Sequence, residues 1–199
     1  MENKSQLWKA SVNKAFYGFL AYTLLSGVVG AIVGLVSGAA GLASLASGGG
    51  GGGLLGPIIV GVLALVGYVY YFIGVKGMRD SAVDTPLQDG TAKVYKGVLL
   101  GLIATIVDII PLLGIVALVL NIIAFVFMMQ GFGILRKLPI NELAAKGAQQ
   151  LWLVMLLSLI GVIIGIIPLV GGVLSLICSI AVLVYAFLGW RNFSNSELE

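Results

Sequence analysis

Residues 97–135 read GVLLGLIATIVDIIPLLGIVALVLNIIAFVFMMQGFGIL and carry a single charge, Asp108, and a single proline, Pro111. At about 1.5 Å of rise per helical residue, this is long enough to cross a ~30 Å hydrocarbon core nearly twice. Proline removes a backbone donor and crowds the preceding turn, so the helix breaks at Pro111–Gly114 and the chain returns. The stretch predicts a helical hairpin within a membrane.

Two further uncharged stretches, residues 15–75 and 147–190, have the same character, with breaks at Gly48–Pro57 and Pro168–Gly172. Composition agrees with three such hairpins. The 199 residues are 60% hydrophobic and 10% charged, against about 45–50% and about 25% in a soluble domain. Mean hydropathy is +1.13. A soluble globule is excluded, and the apolar residues suffice for about six crossings.

The eleven Lys and Arg sort to one side of this arrangement. Lys4, Lys9 and Lys14 precede the first apolar stretch; Lys76, Arg79, Lys93 and Lys96 flank loop 80–92; Arg136, Lys137 and Lys146 flank loop 137–145; Arg191 closes the last stretch. Positive residues stay inside, so this side is expected to be cytoplasmic together with both termini. The expectation is an all-α integral membrane protein, one membrane domain over 1–199, with helices near 15–47, 57–77, 91–110, 113–136, 142–167 and 170–191. The apolar run after Lys14 is too long for the h-region of a signal peptide, so an uncleaved start is expected. Compact loops fit a bacterial cytoplasmic (inner) membrane.

The chain also resembles itself. Pro86 to Lys93 matches Pro139 to Lys146 in order, as proline, aliphatic, amide, acid, two unmatched positions, alanine and lysine, and Asp108-Ile-Ile-Pro111-Leu-Leu-Gly114 matches Gly165-Ile-Ile-Pro168-Leu-Val-Gly171. The separations are 53 in the loops and 57 at the tips, which reads as one extra helical turn in the third hairpin. We expect three tandem hairpin repeats, 5–79, 86–136 and 139–191, the first fitting more loosely. Each unit crosses twice, so the copies are parallel rather than inverted.

Small residues recur at four-residue spacing in the first helix of each hairpin: Gly30, Gly34 and Gly38; Gly97 and Gly101; Gly161 and Gly165. Such spacing lets two backbones approach in lipid. It predicts that the odd helices form the packed centre, or an oligomer contact, while the even helices face lipid. Aromatic residues all fall in the cytoplasmic half, and the far-side tips are apolar where a turn meeting water is normally polar. Either the tips are covered by a partner or neighbouring copy, or the hairpins end within the far leaflet. Span lengths favour full crossing.

Chemistry is sparse. The chain has no histidine and one cysteine, Cys178, which removes most metal sites and nucleophile–base pairs. Neither catalytic residues nor a metal or other cofactor is expected, and no basic face suits nucleic acid. Asp108 is the one acid away from the cytoplasmic side and is a candidate ion, proton or partner site, with Asn121 and Thr105 as an interhelical pair near it. Arg79, Arg136 and Arg191 end equivalent helices and are candidate headgroup or topology cations.

These residues imply a non-enzymatic, multi-pass assembly or accessory subunit. It would associate with itself or with another membrane protein through its odd helices and apolar tips. The alternatives are a small oligomeric channel or transporter with Asp108 near the pore mouth, and a membrane-shaping or pore-forming hairpin protein.

Overall fold

The computed structural model describes residues 2–25, 55–108, 110, 112–138, 141–165 and 171–196. Among them are six helices and no strand: α1 (Glu2–Thr23), α2 (Leu55–Ser81), α3 (Gln88–Asp108), α4 (Gly114–Leu135), α5 (Glu142–Gly165) and α6 (Gly171–Ser194). Most of the expected first crossing, with Gly30, Gly34, Gly38 and the glycine-rich tip, lies outside the described residues, as do Pro111, Pro139 and Pro168.

Five helices are long and apolar enough to cross a membrane: α2 over Gly61–Ser81, α3 over Gln88–Asp108, α4 over Gly114–Leu135, α5 over Glu142–Ile164 and α6 over Ile177–Ser194. At the basic end the helices run on past the uncharged stretches, α2 through Lys76 and Arg79 to Ser81 and α3 from Gln88 through Lys93 and Lys96, where long cationic side chains can reach the interface. The start of α5 carries a side-chain cap, Asn141 Oδ1 accepting the Leu143 N–H at 2.9 Å, and in the turn before α3 Thr85 Oγ1 accepts the Leu87 N–H at 3.3 Å. In the loop between α2 and α3, Asp84 takes a left-handed φ of 62°, a conformation Asp tolerates better than most residues.

α1 departs from expectation. Its helix starts at Glu2 rather than near residue 15. Trp8, Val12 and Ala15 follow helical spacing and are all buried, whereas Lys4, Lys9 and Lys14 are exposed. The segment is therefore an amphipathic helix packed onto the bundle, not a basic lead-in. Trp8 Nε1 donates to Ser196 Oγ at 3.5 Å, tying the start of α1 to the residues after α6.

The helices form a closed cycle. Each packs most extensively within its hairpin, α1 on α2, α3 on α4 and α5 on α6, and the seams α2–α3, α4–α5 and α6–α1 complete the ring. No two odd helices pack together among the described residues, so α3 and α5 do not meet at a common centre there. Small residues work within hairpins instead, and the helices of both parities supply them. A Cβ on Gly131 of α4 would stand 2.8 Å from the Gly90 carbonyl oxygen of α3, and one on Gly97 of α3 would stand 2.7 Å from that of Ala124 in α4. In α3, Gly90, Gly97 and Ala104 recur every seven residues, as do Ala117, Ala124 and Gly131 in α4, and all six are buried. A seven-residue repeat keeps one seam facing its partner along the whole hairpin. The third hairpin repeats the contact, with Gly147 facing the Gly189 carbonyl and Gly189 facing that of Gly147.

The core sits toward the end that bears the basic loops. Trp8, Tyr68, Tyr71, Phe132, Trp190 and Phe193 are buried there in one cluster. The one-sidedness of the aromatics thus reflects a core more than an interfacial belt. Outside, α4 exposes Leu118, Val119, Ile122 and Val126 along one apolar face suited to lipid.

Candidate functional site: a cavity walled by all six helices

A cavity of about 320 Å³ lies inside the ring and takes wall residues from every helix. Phe19 and Tyr22 come from α1, Tyr68 and Tyr71 from α2, Gly101 and Thr105 from α3, Asn121 and Met128 from α4, Met155 from α5 and Trp190 from α6. Toward the basic end an aromatic seal closes it. The Trp190 ring packs edge-on to Tyr71 at 5.5 Å and to Phe132 at 6.3 Å between centroids, and it also meets Phe19 and Phe193. Five rings from four helices thereby fill the interior, each adding edge-to-face or tilted contacts to its apolar burial. Tyr68 stacks edge-on to Tyr22 at 4.9 Å, and its hydroxyl donates to the Val98 carbonyl at 3.2 Å, which ties α2 to α3.

Of the three residues expected to form an ion or partner site, two meet here. Thr105 and Asn121 line the same cavity. The hydrogen bond that the Thr105 hydroxyl donates goes to the Gly101 carbonyl of its own helix at 2.9 Å, not to Asn121. That back-bond satisfies a hydroxyl in lipid without help from a neighbour. Asp108 ends α3, is exposed, and is absent from the cavity wall. Gly101 leaves room for the Tyr68 hydroxyl, whereas Gly97 faces Met128 and Ala124. The two glycines of this four-residue pair therefore serve different neighbours. Gly161 faces Cys178, whose Cβ would be 3.3 Å from an added methyl group.

The three arginines at helix ends differ in their surroundings. Arg79 lies over the Tyr95 ring at 4.1 Å and Arg136 over the Trp152 ring at 3.5 Å, each crossing a seam between hairpins. Arg79 also binds the carboxylate of Asp80, with Nη2 at 2.6 Å and Nε at 2.9 Å from Oδ1. Arg191 is exposed on the last turn of α6. The ring partners were not anticipated from sequence, although Tyr95 and Trp152 are separated by 57 positions, as are Arg79 and Arg136.

The cavity and the apolar helices together define an all-helical protein of integral membrane type. No family model, curated protein or solved structure matches the chain.

Proposed function

We propose that the chain is a non-enzymatic multi-pass protein of a bacterial inner membrane, with both termini cytoplasmic. In this reading it acts as an assembly or accessory subunit of a homo-oligomer or of a larger membrane complex. The α3–α4 tip is the observation that carries it. Leu112 is 98% exposed and holds a left-handed φ of 78°, a conformation that costs a non-glycine residue on the order of 1–2 kcal/mol. Ile110 and Ile115 beside it are exposed as well. A turn meeting water or headgroups has no use for a strained, outward leucine, whereas a contact surface does. Gly97, Gly101 and Gly161 are occupied within the chain, which leaves the tips and outer faces for association. The matched contacts of Gly90 with Gly131 and of Gly147 with Gly189 support a tandem relation between the second and third hairpins.

The test is Leu112→Gly in the full-length protein, purified in mild detergent. Self-association or co-purification of a partner is expected to fall, while the monomer keeps its stability or gains up to about 1 kcal/mol from relief of the left-handed strain. A wild-type protein that is a monodisperse monomer with nothing bound would overturn the reading.

A conduit is the second reading, favoured by the cavity that all six helices share. Asn121, not Asp108, is then the residue to change. Asn121→Leu is expected to abolish solute flux in proteoliposomes, and flux that survives it excludes this route.

A further inference from the structure

The seam between α4 and α5 opens at the basic end into a groove of about 470 Å³. Lys93, Arg136 and Lys137 supply three cations to its lining, with Gln130 among them and no carboxylate. Lys93 Nζ donates to Gln130 Oε1 at 3.0 Å, which holds the ammonium beside α4. The Arg136 guanidinium lies 3.5 Å from the centroid of the Trp152 ring. Stacking uses the face of a guanidinium and leaves its N–H edge for a bidentate acceptor such as phosphate.

The comparison with the α2–α3 seam sharpens this. There Arg79 is stacked on Tyr95 in the same way, but the next residue is Asp80, whose carboxylate takes two of its N–H groups. Lys137 stands in the corresponding place after Arg136, so charge accumulates where the other seam cancels it. Away from its cationic end, the groove continues over Met129 and Val126. Val126 precedes Arg136 by ten residues, or about 15 Å along a helix axis. The groove thus joins a phosphate-sized cationic head to an apolar floor.

We propose that this groove binds an anionic phospholipid, with Arg136, Lys137 and Lys93 around its phosphate and Met129 and Val126 against the first part of an acyl chain. Free phosphate offers the same headgroup chemistry but makes no use of the apolar floor. An anionic lipid uses both, and clustered cations at a membrane surface favour it electrostatically.

Native mass spectrometry of the full-length protein in neutral detergent provides the test, with phosphatidylglycerol, phosphatidylcholine and inorganic phosphate as separate probes. One phosphatidylglycerol is expected to be retained in preference to phosphatidylcholine. Arg136→Gln and Lys93→Gln should each weaken it roughly fivefold to tenfold. Lys76→Gln removes the same charge from an exposed position outside the groove and should leave retention unchanged. Lys93 lies on a different helix, so its variant reports on the groove even where Arg136→Gln lowers the yield of folded protein. Equal retention of the two lipids, or an equal loss with Lys76→Gln, overturns the site. Displacement of the lipid by inorganic phosphate at the same concentration overturns a lipid as the occupant.

Discussion

Gly131 and Gly133 flank Phe132 and look interchangeable in the sequence, yet they do different work. A methyl group on Gly131 would stand 2.6 Å from Val94 Cγ2 and 2.8 Å from the Gly90 carbonyl oxygen. One of those neighbours is backbone and cannot swing aside. On Gly133 the nearest atom would be Trp152 Nε1 at 3.5 Å, an ordinary contact. Gly131→Ala is therefore expected to destabilise the fold by about 1–3 kcal/mol. Gly133→Ala should be near neutral or stabilising, since alanine favours a helix by up to about 1 kcal/mol over glycine. Thermal unfolding of the two variants in detergent separates them, and equal midpoints would refute the assignment. At this scale the sequence shows that small residues matter but not which neighbour each one meets. Gly97 and Gly101 illustrate this, since four-residue spacing places them near one face and they nonetheless serve α4 and α2 respectively.

The helices themselves are the most legible level. Five of six were readable from uncharged length and from punctuation by proline, glycine and charge, because lipid admits backbone only when its hydrogen bonds close internally. The start of α1 is less legible, since Lys4, Lys9 and Lys14 are interleaved with the buried line of Trp8, Val12 and Ala15. Packing period is less legible too. Four-residue pairs are visible in any glycine-rich chain, whereas the seven-residue series Gly90, Gly97, Ala104 and Ala117, Ala124, Gly131 emerges only when the two helices lie side by side. Caps belong to this level as well. Asn141 holds the first turn of α5 through the Leu143 N–H, and Asn141→Ala is expected to cost about 1 kcal/mol. Denaturant titration of the purified protein would detect that loss, and Asn141→Asp should retain most of the stability because its carboxylate accepts the same N–H.

At the scale of the molecule, closure of the ring governs what surface is left over. With every helix seated between two others, the interior glycines and aromatics are taken up by the fold, and among the described residues the outer helix faces and the α3–α4 tip stay apolar and exposed. The loss of association expected on Leu112→Gly belongs here, because it concerns a surface that the closed ring does not itself use. The lipid groove also arises here, at a seam between hairpins where Lys93 of α3 meets Arg136 and Trp152. Thr105 and Asn121 were singled out as a pair and do share a wall, but their neighbourhood is an aromatic-sealed cavity that includes Tyr22, Tyr68 and Trp190. Taken alone, the amino-acid order determines that the chain is helical, apolar enough for a membrane, broken into hairpins and basic at one end. These are local consequences of hydropathy, backbone satisfaction and charge. Which helices touch, which rings converge on Trp190 and which cations escape a carboxylate depend on contacts between residues far apart in the chain. Apolar sequence is too uniform to encode such pairings in its periodicity, so they are settled only when side-chain shapes meet across the packed ring.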